Sequence, residues 1–167
     1  MKLLRFAILS FIILFLVIYG ISLFIPSHVR ISRAANIKAT EQVIFPKLVD
    51  LNKWKEWYPG FDTINLEPIE VANGELVKAR FSKTEIYVYS TKTRGAKAEF
   101  KSGDKNPIIA GWEIKHYNSS DSLTLQWYLD FKLKWYPWEK FFSLAYDKMY
   151  GTQMEQGLQN MKKIVER

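Results

Sequence analysis

Apolar residues follow three different patterns along the chain, and each pattern predicts a different element. The first pattern is continuous: Phe6 to Ile25 are twenty residues without a charge. A helix of that length spans roughly 30 Å, which is the hydrocarbon thickness of a bilayer. The other two patterns, one alternating and one helical, lie after Pro26. The sequence therefore predicts an apolar N-terminal helix followed by a folded domain.

The apolar segment is interpreted as an uncleaved membrane anchor. Lys2 and Arg5 provide the basic start that a signal peptide would also have. A signal peptide, however, has an apolar region of about 7–15 residues followed closely by small residues at the cleavage site, and here Ser32 to Ala34 lie well past the apolar run. A buried helix of a soluble domain would show a polar face. We expect residues 1–27 to be a transmembrane anchor with a short linker, and residues 28–167 to be the domain.

The orientation of the anchor is only weakly determined by charge. Lys2 and Arg5 precede the segment, whereas Arg30, Arg33 and Lys38 follow it. The positive-inside rule counts basic residues within about 15–20 residues of each end, so the two sides nearly balance. A short basic N-terminus usually stays in the cytoplasm. We therefore expect a single-pass protein of the bacterial inner membrane with its domain on the exported, periplasmic side.

The alternating pattern predicts an antiparallel sheet. Between residues 123 and 136 every second residue is apolar and the residues between them are mostly polar, so one face is dry and the other wet. Asn73-Gly74 is a strong two-residue hairpin signal. Extended segments are predicted at 28–37, before residue 73, and at 76–81, 85–91, 96–100, 108–117 and 123–136, with further turns at 82–83, 94–95, 102–104 and 118–121.

The helical pattern predicts one long C-terminal helix and two short ones. From Trp138 to Glu166 the apolar residues fall on one side at 100° per residue, beginning with Tyr146. Short helices are predicted after Thr40, as an N-cap, and around residues 53–58. Gly157 lies on the inner face of the long helix and costs about 1 kcal/mol of helix propensity. Close approach to a strand or room for a ligand would each explain it.

Composition excludes several kinds of chemistry. The chain has no cysteine, which rules out disulfides, thiolate metal sites and cysteine nucleophiles. Outside the anchor 22 basic residues face 17 acidic ones, an excess of about five. Such an excess either attracts anionic lipid or is an ordinary solvated surface. No basic stripe or nucleic-acid-binding motif is present, so nucleic acid is not an expected partner.

The inventory of reactive residues predicts no catalytic residue, no metal site and no cofactor. His28 and His116 lie far apart and have no carboxylate at ligand spacing. The chain lacks a G-x-S-x-G elbow and a glycine-rich phosphate loop, which disfavours a hydrolase, kinase or dehydrogenase. A cyclase or isomerase that uses a polar cavity group, such as Glu113 or Tyr87, stays open.

Three segments carry a family resemblance. LVDLNKWKEWYPG (48–60) resembles the W-x-x-W-x-P segment of the START-like SRPBCC superfamily, in its polyketide cyclase/dehydrase branch. YDKMYGTQMEQGLQNMKKIVE (146–166) is similar to the closing helix of that branch. WYPWEKFFSLAYDKM (135–149) resembles membrane-anchored members of the group. The resemblance covers residues 28–167.

The resemblance implies an α+β helix-grip fold, in which an antiparallel sheet wraps around a long C-terminal helix. It also implies an apolar cavity between sheet and helix that binds lipids, sterols, polyketides or similar molecules. The residues expected on the facing surfaces are either cavity lining or ordinary core: Trp54, Trp57, Tyr87, Trp112, Trp127, Phe131, Tyr150, Met154, Gly157, Leu158 and Met161.

Three functions are compatible with this interpretation. The leading one is a non-enzymatic, membrane-anchored module that binds a hydrophobic small molecule or lipid, with the bilayer as its second partner. The alternatives are a cyclase/dehydrase-like enzyme and a structural or stress-response module that binds another protein. The segments WYPGF (57–61) and WYPW (135–138) have three interpretations: core, cavity mouth or contacts with the membrane interface. The sequence does not predict the ligand or the oligomeric state.

Overall fold

The computed structural model describes residues 2–91, 95–116 and 122–166, which form an apolar helix followed by an α+β domain. The elements in chain order are helix α1 (Lys2–Ser22), strand β1 (His28–Ile37), helix α2 (Glu41–Val49), a 3-10 turn (Leu51–Lys53), helix α3 (Trp54–Trp57), strands β2 (Glu67–Ala72), β3 (Glu75–Phe81), β4 (Thr84–Thr91), β5 (Gly95–Ser102), β6 (Ile108–His116) and β7 (Leu123–Lys132), and helices α4 (Pro137–Ser143) and α5 (Tyr146–Val165).

Helix α1 is the described helix that is long and apolar enough to cross a membrane. None of its apolar window is buried inside the structure. It ends at Ser22, three residues before the end of the uncharged run, and a tight turn at 23–25 leads to Pro26.

The seven strands form one antiparallel sheet in the order β1-β7-β6-β5-β4-β3-β2. The first strand pairs with the last: Val29 faces Phe131 and Ile37 faces Leu123. The antiparallel prediction is confirmed. At the predicted hairpin both Asn73 and Gly74 have a positive φ, of 53° and 83°, which is the backbone of a type I′ turn. The predicted turn at 118–121 and part of the one at 94–95 lie outside the described residues.

Helices cover the inner face of the sheet from two sides. Helix α5 packs against β1 and β7, while α2 covers β3 to β5, the 3-10 turn contacts β3, and α3 packs against α5. Asp50 joins the two layers, because its carboxylate accepts hydrogen bonds from the backbone N–H of Asn52, at 3.0 Å, and of Leu76, at 3.2 Å. Asp50 is buried, so these bonds replace the water it loses.

Two predicted boundaries at the C-terminal end of the sheet are wrong. Strand β7 ends at Lys132 rather than at Tyr136, because its partner β1 begins at His28 and the ladder ends there. Trp135, predicted on the dry face, is consequently exposed. The single helix predicted from Trp138 is two helices, separated at residues 144–145.

The break between α4 and α5 has a physical basis in their different partners. The apolar positions that fit one helical face begin only at Tyr146, and this face packs on the sheet. Helix α4 packs instead against α1. One straight helix could not direct both faces to these two partners.

Helix α2 agrees with its prediction in position. Thr40 is its N-cap, although the Thr40 side chain makes no capping hydrogen bond. Pro46 lies inside the helix, which ends three residues later at Val49. The missing N–H of Pro46 removes one hydrogen bond of this helix without ending it at that point.

Candidate functional site

Four indole rings fill the space between the sheet and the helices. Trp54, Trp57, Trp112 and Trp127 are almost completely buried, and their neighbouring rings have centroids 5.3 to 6.0 Å apart. We call them the tryptophan cluster. Most of these contacts are edge-to-face, the geometry that the quadrupole of an aromatic ring favours.

The sequence places each member of the tryptophan cluster through simple local geometry. Trp54 and Trp57 are three residues apart on α3 and therefore share one helix face. Trp112 and Trp127 are direct cross-strand partners on β6 and β7. The two pairs meet because α3 lies across the inner face of the sheet.

The polar atoms of the four rings differ in their partners. The indole N–H of Trp54 donates to the backbone carbonyl of Leu48, and that of Trp57 donates to the carbonyl of Lys47, both at 3.0 Å. Within the described residues the indole N–H groups of Trp112 and Trp127 have no hydrogen-bond partner. An unpaired buried donor costs about 1–3 kcal/mol. An acceptor oxygen placed beside either indole N–H would form a hydrogen bond and remove this cost.

Helix α5 approaches the tryptophan cluster closely at one point. A Cβ atom on Gly157 would lie 2.6 Å from Cζ3 of Trp127 and 3.0 Å from Cδ of Pro59. Met154, Leu158 and Met161 fill the spaces beside it and are buried. Close packing of helix on strand, rather than room for a ligand, thus explains Gly157.

A pocket of about 270 Å³ lies at one end of the sheet, and we call it the end pocket. Its apolar lining comes from β6, β7, α4 and α5: Ile108, Phe131, Leu133, Phe142, Tyr146 and Tyr150. The ring of Phe131 contacts Tyr146 and Tyr150, with centroids 4.6 and 5.1 Å away. Aromatic rings from a strand and a helix thus form a wall that suits an apolar molecule.

The rim of the end pocket is positively charged. Lys105, Lys132 and Lys134 line it, together with a single carboxylate, Glu139. That carboxylate already accepts a hydrogen bond from the backbone N–H of Lys134. The loop that carries Lys105 is fixed by Asn106, whose side-chain amide donates to the carbonyl of Lys132 at 2.8 Å. Such a rim favours an anionic group over a cationic one.

The end pocket lies at the end of the domain that carries α1. His28, which opens β1, pairs with Lys132, and the backbone N–H of Leu133 donates to the carbonyl of Ser27 at 2.9 Å. Phe142 lines both the end pocket and a second, apolar pocket between α4 and α1. The two pockets therefore share one wall.

The structure separates the predicted cavity residues into three groups. Eight of them lie in the interior around the tryptophan cluster: Trp54, Trp57, Trp112, Trp127, Met154, Gly157, Leu158 and Met161. Phe131 and Tyr150 line the end pocket. Tyr87 is exposed on the opposite face of the sheet, because Ile86 and Val88 beside it point inward. Tyr87 is therefore not part of either interior region.

The end-pocket residues that were not predicted from the sequence lie in the lysine rim and in α4. Lys105, Lys132 and Lys134 had no motif of their own, and Phe142 was assigned to the first turns of one long helix from Trp138 to Glu166. The change of helical phase at Tyr146 was the available signal. In the described part of the chain, no three His, Asp or Glu side chains lie close enough to hold a metal ion.

Burial raises the pKa of three tyrosines from the ordinary value of 10.0. Desolvation is the main cause for Tyr58, Tyr128 and Tyr146, and Tyr150 adds to it for Tyr58 and Tyr146. Because the folded pKa is raised, the neutral form stabilises the fold below pH 10, and this stabilisation is lost as the pH rises through the folded pKa.

We expect the free energy of unfolding to fall above pH 10, as these three tyrosines form tyrosinate in the unfolded chain while they stay neutral in the folded one. Denaturant titrations at increasing pH, with tyrosinate absorbance recorded in parallel, measure both quantities. The variant Tyr58→Phe should show a smaller fall than the unmodified chain, since it removes the group whose pKa is raised most. An identical fall in both chains would contradict this assignment.

No family model and no curated protein matches the sequence. Solved structures do match. A START superfamily protein from Mycobacterium smegmatis has a TM-score of 0.59 and 19% identity, over 82% of this chain and 97% of that one. A protein from Nitrosospira multiformis has a TM-score of 0.58 and 10% identity, over 82% and 96% of the two chains.

A plant enzyme has the same architecture. Norcoclaurine synthase from Thalictrum flavum, in complex with a transition-state analogue, has a TM-score of 0.56 and 12% identity, over 83% of this chain and 94% of that one. At these identities the likeness concerns the fold alone. With the antiparallel sheet and the long C-terminal helix, it shows that this chain has a START-like, helix-grip fold.

Proposed function

We propose that this protein is a membrane-tethered, non-enzymatic START-like domain that binds a hydrophobic molecule or lipid in its end pocket. The observation that carries the proposal is the position of that pocket. Its aromatic wall and lysine rim lie at the end of the sheet where α1 joins the domain. A molecule dissolved in the bilayer would meet this end first.

The size and charge of the end pocket narrow the class of ligand. About 270 Å³ is close to the lower limit of small-molecule pockets, which hold roughly 300–1,000 Å³. One acyl chain or a similarly slender apolar body fits this volume better than a complete two-chain lipid does. The rim lysines suit a carboxylate or phosphate at the outer end of that body. We therefore infer a single-chain amphiphile with an anionic group.

The tether supports the same function. Helix α1 has the length and hydropathy of a membrane span, and none of its apolar window is buried inside the structure. Holding the pocket beside the bilayer raises the effective concentration of lipid-dissolved ligands without any new contact. The anchor thus compensates for the modest affinity expected of a small pocket.

Binding is favoured over the cyclase-like alternative by the location of the polar candidates. Glu113 lies between Trp112 and Ile114 in β6, and those two neighbours point inward. The Glu113 side chain is therefore on the outer face, as Tyr87 is. Neither residue lines the end pocket, so neither can serve as its acid or base.

Photolabelling of the full chain in phosphatidylcholine vesicles tests the proposal. The probe is a fatty acid with a diazirine in its chain, and labelled peptides are identified by mass spectrometry. We expect label on the peptides that contain Phe131 and Tyr150, and loss of that label in Ile108→Trp, which fills the pocket. Thr152→Ala, an exposed change on α5, should label normally. Label confined to α1 would contradict the proposal.

The rim supplies a second test that does not depend on filling the pocket. The double variant Lys132→Glu/Lys134→Glu should weaken fatty-acid labelling by roughly tenfold, the effect of losing one charge-assisted hydrogen bond. Labelling by the matching fatty alcohol should change little. Equal losses for acid and alcohol would show that the lysines do not recognise the anionic group.

A further inference from the structure

Helix α4 exposes apolar side chains and buries polar ones, which is the opposite of a helix that faces water. Trp138, Phe142 and Leu144, just after its end, are 63%, 57% and 69% exposed, whereas Lys140 and Ser143 are 7% and 4% exposed. In water, burial of the apolar residues would stabilise the fold and the charged ones would stay outside. A helix with the opposite distribution is suited to an apolar surrounding.

The polar side chains of α4 form hydrogen bonds within the protein. The Lys140 ammonium donates to the carbonyl of Ser22 at 3.2 Å, and the Ser143 hydroxyl donates to the carbonyl of Lys140 at 2.7 Å. The Glu139 carboxylate accepts from the backbone of Lys134. The exposed side of α4 is thus left without the polar groups that would favour water there.

The bond from Lys140 also fixes α4 to the end of α1. In a continuing helix the carbonyl of Ser22 would accept from residue 26, but Pro26 has no N–H. The backbone N–H of Ile25 donates to this carbonyl instead, at 3.2 Å, and the Lys140 ammonium is a second donor at the end of the helix where the macrodipole is negative. Because one buried side chain makes this connection, the position of α4 along α1 is defined.

The depth of α4 follows from its contacts. An apolar groove of about 560 Å³ between the two helices is lined by Phe15, Ile18, Pro137, Trp138, Phe141 and Phe142. Phe15 to Ser22 correspond to about 10 Å along the axis of α1. Amphipathic helices at a membrane surface are immersed by about 5–10 Å. Helix α4 therefore lies beside the final two turns of α1, at the depth of the boundary between headgroups and acyl chains.

The surroundings of α4 have the composition of a membrane interface. Trp135, Tyr136 and Trp138 form a run of contacting rings, with Tyr136 and Trp138 stacked at 4.9 Å. Tryptophan and tyrosine concentrate at headgroup level. Lys132 and Lys134 precede this run and suit the phosphate groups of phospholipids.

We propose that α4, together with Trp135, is an interfacial helix that lies in the phospholipid bilayer beside α1 and holds the end pocket against the membrane. This inference rests on the proposed membrane tether and adds a second contact to it. The occupant of the exposed apolar face is phospholipid, since that face is continuous with the apolar surface of α1. Phe142 then separates bilayer lipid on one side from the end pocket on the other.

Single labelled cysteines test the proposal, because the chain has no cysteine of its own. The full-length variants Phe142→Cys and Leu144→Cys carry an environment-sensitive fluorophore and are reconstituted into phosphatidylcholine/phosphatidylglycerol vesicles. Lipids with a spin-label quencher near the headgroup report immersion. We expect roughly twofold more quenching at these positions than at Tyr87→Cys and Thr152→Cys, as an immersion of 5–10 Å implies.

The variant Ile12→Cys, in the middle of α1, separates failure of the interfacial helix from failure of the membrane tether. Immersed Ile12 with water-exposed Phe142 and Leu144 would overturn the interfacial helix but leave the tether in place. Water exposure at all three positions would overturn the tether and the proposed function with it. Labels at Phe142 and Leu144 that are shielded from water but not quenched by lipid would assign the face to a second protein and overturn the lipid assignment.

Discussion

Replacing Trp57 with alanine is expected to lower the free energy of unfolding by about 3–5 kcal/mol, the usual cost of removing a large buried aromatic side chain. The Trp57 ring contacts Trp54, Trp112 and Trp127 in the tryptophan cluster. The substitution also removes the indole N–H that satisfies the carbonyl of Lys47. Because whole domains are stable by only about 5–15 kcal/mol, this one change should approach the stability limit.

Urea titration of the full chain in mild detergent, followed by circular dichroism, measures this effect. Trp138→Ala is a matched control, since it removes the same side chain from an exposed position. The control should lower the free energy of unfolding by only about 0.5–1.5 kcal/mol, because it loses the stacking on Tyr136 but no buried core contact. Similar losses for the two variants would show that the cluster does not carry the stability assigned to it.

Substitution of Gly157 by alanine is expected to destabilise the domain, against the usual direction of such a change. In a helix interior this substitution normally gains about 1 kcal/mol. Here the new Cβ would lie 2.6 Å from a ring carbon of Trp127, which is itself held between Trp57 and Trp112. The overpacking cost of about 1–3 kcal/mol exceeds the gain in propensity.

Gly151 provides the comparison within the same helix. The nearest atoms to a Cβ there would belong to the guanidinium of Arg33, the far end of a flexible side chain that pairs with Asp147 and Glu155. These ion pairs are exposed and can shift at little cost. Gly151→Ala should be neutral or stabilising by up to about 1 kcal/mol in thermal or urea unfolding. A stabilised Gly157→Ala would contradict close packing as the reason for that glycine.

Most of the fold could be predicted from the sequence, because the sequence patterns that specify its elements are local. Alternation in 123–133 specifies which face of β7 is dry, and Asn73-Gly74 specifies a turn whose two positive φ angles few other residue pairs accept. The spacing of Trp54 and Trp57 places both rings on one face. Each of these signals depends only on backbone geometry within a few residues.

The end pocket could not be predicted from the sequence in the same way. Its walls come from the loop at 105–107, the end of β7, α4 and the start of α5, and nothing in their local patterns states how far apart they lie. The alternation even continues past Lys132 to Trp135, although the ladder has already lost its partner strand. The volume of a pocket depends on the distances between helices and strands. Hydrophobic periodicity indicates only which face of each helix or strand is buried.

The pairing of β1 with β7 has a consequence for biosynthesis. Residues 100 apart in sequence, such as Arg30 and Asp130, meet across these two strands. Contacts this distant form late, since the loop between them must close first. During synthesis β1 would emerge directly behind α1 and stay unpaired on the edge that β7 occupies until most of the domain had been made. A segment in this position is exposed to wrong pairing with the edges of other chains, and the proposed membrane tether would keep it apart from neighbouring unfinished chains.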